Sequence, residues 1–271
     1  MIRTTIIVAC ALTVAGASWY VAVNMTSPSD LTAIYNCSAF FAYVFSVPLL
    51  KEPLRLDKSL AVLVAIVGVM IVAYGDGSST SRDGSGEANN RLAGNLIIGF
   101  GSILYGLYEV LYKRLACPPE GTSPGRGVLF ANTFGSMIGL FTIIVLWIPI
   151  PLLHWTGLEP FELPRGQAAS LLLISTLSNA VFSGSFLVLI SLTSPVLSSV
   201  AALLTIFLVS MTDWWWTGTP LTAATLWGGG LIVIAFGVLS ASTWREMREQ
   251  GEKAGVDDVE ESEAEVGLLP P

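Results

Sequence analysis

"SWYVAVNMTSP" occupies residues 18–28 and "SFLVLISLTSP" residues 185–195. Ser, Val and the closing Thr-Ser-Pro recur at the same places, 167 residues apart. Each stretch ends one apolar run and opens another. At the same offset Pro28 meets Pro195, and Pro53 in "KEPL" meets Pro220 in "GTPL". The run between the two prolines has one length in both copies. After each second proline comes a segment rich in small residues, ending "VGVMIV" in one copy and "FGVLS" in the other. A duplication is therefore written into the chain.

Composition says what kind of duplication it is. The 271 residues are 53% hydrophobic and 12% charged, with a mean hydropathy of +0.69. A water-facing domain carries about 25% charged residues. Of twenty acids, nine gather after Ser242, at positions 246, 249, 252, 257, 258, 260, 261, 263 and 265. The net charge of −7 thus belongs mainly to a tail, and it excludes a nucleic-acid binder. Cys10, Cys37 and Cys117 are scattered, with neither a disulfide framework nor a metal-binding spacing. No cofactor motif is present, so none is expected.

A spanning helix needs about 20 apolar residues. Eight segments qualify: 4–23, 31–50, 59–75, 94–115, 128–150, 168–191, 196–212 and 220–242. In hydrocarbon every backbone amide must be satisfied within its own segment, which makes each run a helix. The fold class expected is an all-α membrane protein. Lys and Arg favour the cytosolic side. With the N-terminus cytosolic, Arg3, Lys51, Arg55, Lys58, Lys113, Arg114, Arg126, Arg245, Arg248 and Lys253 lie inside, and Arg82, Arg91 and Arg165 outside. Both termini are then cytosolic. The Gly/Ser-rich segment 76–92 reads as a flexible non-cytosolic loop, and the acidic tail 243–271 as disordered.

On this topology the first Thr-Ser-Pro turn is outside and the second inside, so the two copies are inverted. Inverted repeats are an architecture of secondary transporters, with the site near mid-membrane at the repeat interface. Residues 1–75 supply three helices and residues 93–242 five. The arrangement, 3 + 5, reads as a 5 + 5 fold without its first two helices.

The stretches "DLTAIYNCSAFFAYVFSVPLLKEPLR" and "ILYGLYEVLYKRLACPPEG" resemble the drug/metabolite transporter superfamily, in its EamA-like members. They are most similar to the fungal branch akin to solute carrier family 35, subfamily F. The resemblance covers residues 1–242 and implies a gradient-driven transporter of a small polar metabolite. It also implies an endomembrane, vacuole or Golgi, rather than the plasma membrane. The "TGTPL" of the second copy departs from the "KEPL" pattern by lacking its acid. The alternative is a membrane protein that does not transport, such as a truncated isoform or a regulator.

No enzymatic constellation appears, and the single histidine, His154, excludes His-based triads and zinc motifs. Chemistry in such a protein falls to polar groups inside spans, which are costly in lipid and tend to face a cavity. Three stripes at helical spacing offer them. The second run has Thr32, Tyr35 and Asn36, with Tyr43 beyond; the fourth has Ser102, Tyr105 and Glu109; the sixth has Ser175, Ser178, Asn179 and Ser185. The candidate substrate-binding set is Thr32, Tyr35, Asn36, Tyr105, Glu109, Ser178 and Asn179. Hydrogen bonding between helices is the competing account for the Ser, Thr and Asn residues. For Glu109 it is an i,i+4 pair with Lys113. Partners expected are a small solute and the lipid bilayer, not nucleic acid, with a second copy of the chain as a further candidate. Glycines in "GFGSILYG" (99–106) and at 228–230, and the alanines Ala11/Ala15 and Ala61/Ala65, suit close helix packing.

Overall fold

The computed structural model describes residues 2–52, 54–75, 85–118, 123–157, 161–218 and 220–267. The described residues form α1 (Ile2–Ala22), α2 (Pro28–Asn36), α3 (Ser38–Leu50), α4 (Leu56–Tyr74), α5 (Ser85–Ala116), α6 (Pro124–Phe141), α7 (Pro149–Thr156), α8 (Gln167–Leu192), α9 (Pro195–Thr217) and α10 (Ala223–Gly267). A π-helical turn, Thr142–Leu146, follows α6. Eight helical stretches are long and apolar enough to cross a membrane. The fold is an all-α, multi-pass membrane architecture.

Two spans are not single helices. α2 and α3 together make the second span, interrupted at Cys37, whose amide bonds Ile34 O at 3.2 Å in a tighter, three-residue turn. α6, the π-helical turn and α7 make up the fifth. Its three prolines and glycines, Gly139, Pro149 and Pro151, weaken the regular ladder there.

The repeated Thr-Ser-Pro does the same local work twice. Ser27 caps α2 by accepting the Asp30 amide at 3.1 Å, with Pro28 in the first turn. Ser194 caps α9 by accepting the Leu197 amide at 3.2 Å, with Pro195 in the first turn. A serine oxygen satisfies an orphan amide and proline supplies a preset φ where no donor is needed. The far ends of the same two spans also match. Lys51 closes α3 at φ 59°, and Gly218, at the 167-residue offset, closes α9 at φ 73°. Only at Gly218 does the residue type suit a left-handed conformation.

Packing is organised around three helix pairs. α4 lies along α10, and α5 lies along α1 and α3. α9 bridges α3 and α10, while α6 packs on α8. Small residues set the close approaches. A Cβ on Gly68 would stand 2.7 Å from Gly228 O, and one on Gly106 would stand 2.7 Å from both Ala42 N and Ser38 O. Ala15, Ala61 and Ala65 are buried as expected. Gly230 differs: no atom lies within 4 Å of where its Cβ would be.

Two boundaries differ from those read in the sequence. Residues 85–92, expected in a flexible loop, are the first turns of α5; residues 76–84 of that loop lie outside the described set. The tail, expected to be disordered, continues α10 as a helix through Gly267. Its Ala, Glu, Lys, Arg and Met residues are strong helix formers, and acidity by itself does not oppose a helix that is already nucleated.

Candidate functional site

α5 carries the polar centre of the molecule. Ser102, Tyr105, Tyr108, Glu109 and Tyr112 follow one another at helical spacing, and Ser102 and Glu109 are wholly buried. The break at Cys37 brings the end of α2 against this stripe. Ser102 Oγ donates to Tyr35 O at 3.2 Å, so it uses a carbonyl at the break. The Tyr35 and Tyr105 rings sit 5.3 Å apart. Tyr105 also meets Tyr108 at 5.6 Å and stacks on Phe186 of α8 at 6.5 Å. Three helices thus contribute to one aromatic array, with Glu109 one turn from Tyr105.

The Glu109 carboxyl accepts the Ser199 hydroxyl of α9 through Oε2. Its Oε1 has no hydrogen-bond partner. The expected pair with Lys113 does not form. Lys113 Nζ instead donates to the carbonyls of Ile190, Ser191 and Thr193 at 3.2, 2.8 and 2.8 Å. Those carbonyls end α8, where a cation is favoured by unpaired backbone oxygens and the helix dipole. Three acceptors outweigh the single partner that the sequence spacing offered.

Of the seven expected site residues, Tyr35, Tyr105 and Glu109 come together. The other four do not join them. Thr32 is exposed. Asn36 turns its amide back to Thr32 O at 2.8 Å, a bond within its own helix. Ser178 and Asn179 lie in a part of α8, residues 170–183, that no other helix among the described residues covers. Tyr43 is also apart, bonded to Ser59 Oγ at 2.7 Å.

Ser199 was missed, although a signal for it existed. It stands at the 167-residue offset from Thr32, in the copy where a partner helix is present. Tyr108 and Phe186 were not singled out by the sequence, and only the packing brings them to Tyr105.

A second polar cluster, also missed, sits at the other end of α5. Asp30, buried at the start of α2, accepts Arg91 Nε at 2.6 Å and Asn95 Nδ2 at 3.3 Å, both on α5. The Tyr74 hydroxyl of α4 donates to its other oxygen. Thr26 hydrogen-bonds Asn95 and, at 3.4 Å, Asp30. A third cluster joins the 51–58 junction to α10. Lys58 Nζ lies 2.6 Å from Glu246 and 3.3 Å from Glu52. Arg55 reaches Glu246 and Glu249 at 3.2 and 3.0 Å, and the hydrogen bond it donates to Glu249 is the main cause holding its guanidinium above the usual range. Ser242 donates to Asp57 at 2.7 Å. No group of three or more His, Cys, Asp or Glu able to hold a metal occurs among the described residues.

The class this architecture defines is a polytopic α-helical membrane protein with a buried carboxyl among aromatic hydroxyls. Comparison with known proteins narrows the company it keeps. No protein-family model matches the chain. It is 28% identical to an uncharacterised vacuolar membrane protein of Saccharomyces cerevisiae, over 82% of this chain and 56% of that protein. An uncharacterised transporter of Schizosaccharomyces pombe is 29% identical over 80% of the chain and 62% of its own length. Solute carrier family 35 member F5 of Macaca fascicularis is 29% identical over 73% of the chain and 44% of its own length. The chain therefore spans about half the length of the curated relatives it matches. One crystal structure superposes with a TM-score of 0.53 at 16% identity, covering 90% of this chain and 88% of the other; the likeness concerns fold.

Proposed function

We propose that this protein is a secondary transporter that carries a small polar metabolite across an endomembrane, by alternating access of two inverted repeats. The observation that carries the reading is Glu109. A carboxyl with one unpartnered oxygen, buried within a spanning helix, is costly in lipid and points to function. It stands where α2, α5, α8 and α9 meet, and its neighbours Tyr35, Tyr105, Tyr108 and Ser199 supply hydroxyls for a polar solute. Relatives named as a transporter and as solute carriers support the same class. The matched caps at Ser27 and Ser194, and the matched helix ends at Lys51 and Gly218, support the repeat.

On this reading α1 to α4 correspond to α8, α9 and the membrane part of α10. The counterparts of α5 and of the α6–α7 span are absent from these 271 residues, and the reading places this chain in an EamA-like 5 + 5 plan. The positive-residue bias puts both termini in the cytosol, which protease protection of the tail in sealed organelles would check. A second reading rests on the relatives' greater length: the 271 residues alone form a membrane protein that does not transport.

Reconstitution in liposomes with a panel of labelled polar metabolites separates the two. Transport predicts saturable uptake of at least one of them. Glu109→Gln keeps the shape and removes the charge; it is expected to abolish that uptake while the protein still accumulates and remains monodisperse. Undiminished uptake would remove Glu109 from the site. No uptake of any solute by intact, monodisperse protein would favour the second reading.

A further inference from the structure

α5 is fastened at its two ends to different partners. Near Arg91, the Asp30 cluster ties it to α2 and α4 through Arg91, Asn95 and Tyr74. Near Lys113, it is tied to α8 and α9 instead. There Lys113 bonds the last carbonyls of α8, Tyr112 bonds Leu187 O at 3.2 Å, and Glu109 bonds Ser199. Between the two clasps lie Ser102 and Tyr105. Ser102 is seven residues from Asn95 and seven from Glu109, roughly 10 Å each way at the helical rise.

We propose that these two clasps are the opposite gates of the transport path, and that α5 is the strut both close upon. While both are made, α2 and α4 on one side and α8 and α9 on the other keep a single relative placement. The midpoint is then sealed, as the complete burial of Ser102 and Glu109 shows. Motion of one helix group against the other must release one clasp, and releasing one leaves the other to hold the far end shut. The chemistry of the clasps suits this. Each is centred on charge-assisted hydrogen bonds, of Arg91 to Asp30 in one and of Lys113 to backbone carbonyls in the other, which are strong when aligned and lost within a small displacement. The proposal rests on the transporter reading, but it concerns which side the midpoint opens to, and this can be measured without a substrate.

The experiment uses a chain with Cys10, Cys37 and Cys117 replaced by Ser and with Ser102→Cys as reporter. Sealed vesicles of either orientation are treated with a membrane-impermeant maleimide. In the parent, labelling at position 102 is slow from both sides. Arg91→Gln is expected to raise the rate roughly tenfold from the side on which Arg91 lies, the population shift that loss of one ordinary charge-assisted hydrogen bond brings. From the opposite side it leaves the rate unchanged. Lys113→Met is expected to do the converse. Should Arg91→Gln fail to accumulate as monodisperse protein, Asn95→Ala, which removes one donor to Asp30, carries the same expectation. Rates unchanged in both variants, or raised equally from both sides, would overturn the assignment and leave the clasps as static fastenings. Side-specific labelling with no uptake of any solute would count against the transporter reading and not against the gates.

Discussion

Gly68 and Gly228 face each other where α4 and α10 run closest, and replacing Gly68 by Ala tests that approach. The new Cβ would stand 2.7 Å from Gly228 O and 2.9 Å from Ile232 Cγ1. Ordinary contact begins near 3.4 Å, so the two helices must separate locally by about 0.7 Å. The atom in the way is a backbone carbonyl, which cannot swing aside as a side chain can. Forcing one methyl into a filled interface costs about 1–3 kcal/mol. Against this, Gly to Ala inside a helix gains up to about 1 kcal/mol of propensity. Gly230→Ala supplies the reference, since it has the same propensity gain and no atom within 4 Å of the added carbon. The difference between the two variants isolates the steric cost. Thermal unfolding in detergent is expected to place Gly68→Ala below the parent or level with it, and about 1–3 kcal/mol below Gly230→Ala. Equal melting temperatures for the two would refute a backbone-to-backbone approach at this point.

Lys51 ends α3 with φ 59° and no glycine to make that comfortable. A left-handed L-residue costs about 1–2 kcal/mol, so Lys51→Gly is expected to raise the melting temperature; a fall would show that the ammonium group does more than sit at the helix end. Lys58 is 2% exposed and bridges Glu52 and Glu246. Lys58→Met is expected to cost about 3 kcal/mol, the low end for breaking a buried pair, because both acids keep partial access to water. Arg55→Gln, in the same cluster but on its open side, is expected to leave the melting temperature little changed. A Lys58→Met protein as stable as the Arg55→Gln one would show that burial adds nothing to this network.

Much of the fold was legible because the bilayer makes length and apolarity decisive. All eight expected runs fall within the candidate spans apart from a few terminal residues, and the Thr-Ser-Pro repeat marks two capped helix starts. What escaped was set by contacts between helices. Lys113 could be placed four residues after Glu109 by counting, but nothing in local sequence shows three α8 carbonyls within its reach. Asp30 was not singled out by the sequence, and only the arrival of Arg91, Asn95 and Tyr74 makes it a hub. Ser178 and Asn179 looked as good as Tyr35 by spacing; they differ in having no helix opposite them among the described residues. The helical tail is a separate case, in which composition correctly gave polarity and charge but was a poor guide to local order.

The 167-residue offset also explains why the chemistry is lopsided. Asp30 and Leu197 occupy matching places, and their amides donate to matching serine caps. One adds a carboxylate to that shared backbone, and the other an apolar side chain. Tyr35 matches Ala202, and Asn36 matches Leu203, which is buried where Asn36 is not. Thr32 matches Ser199, and here the residue types agree while the surroundings differ. Ser199 meets Glu109 of α5, and Thr32 meets no corresponding helix among the described residues. Two helix starts with the same serine cap thus carry unlike side chains, and these give one polar pole at each end of α5. Under the transporter reading proposed above, walls that differ in this way would present different groups to the two faces of an asymmetric solute, which two identical walls could not do.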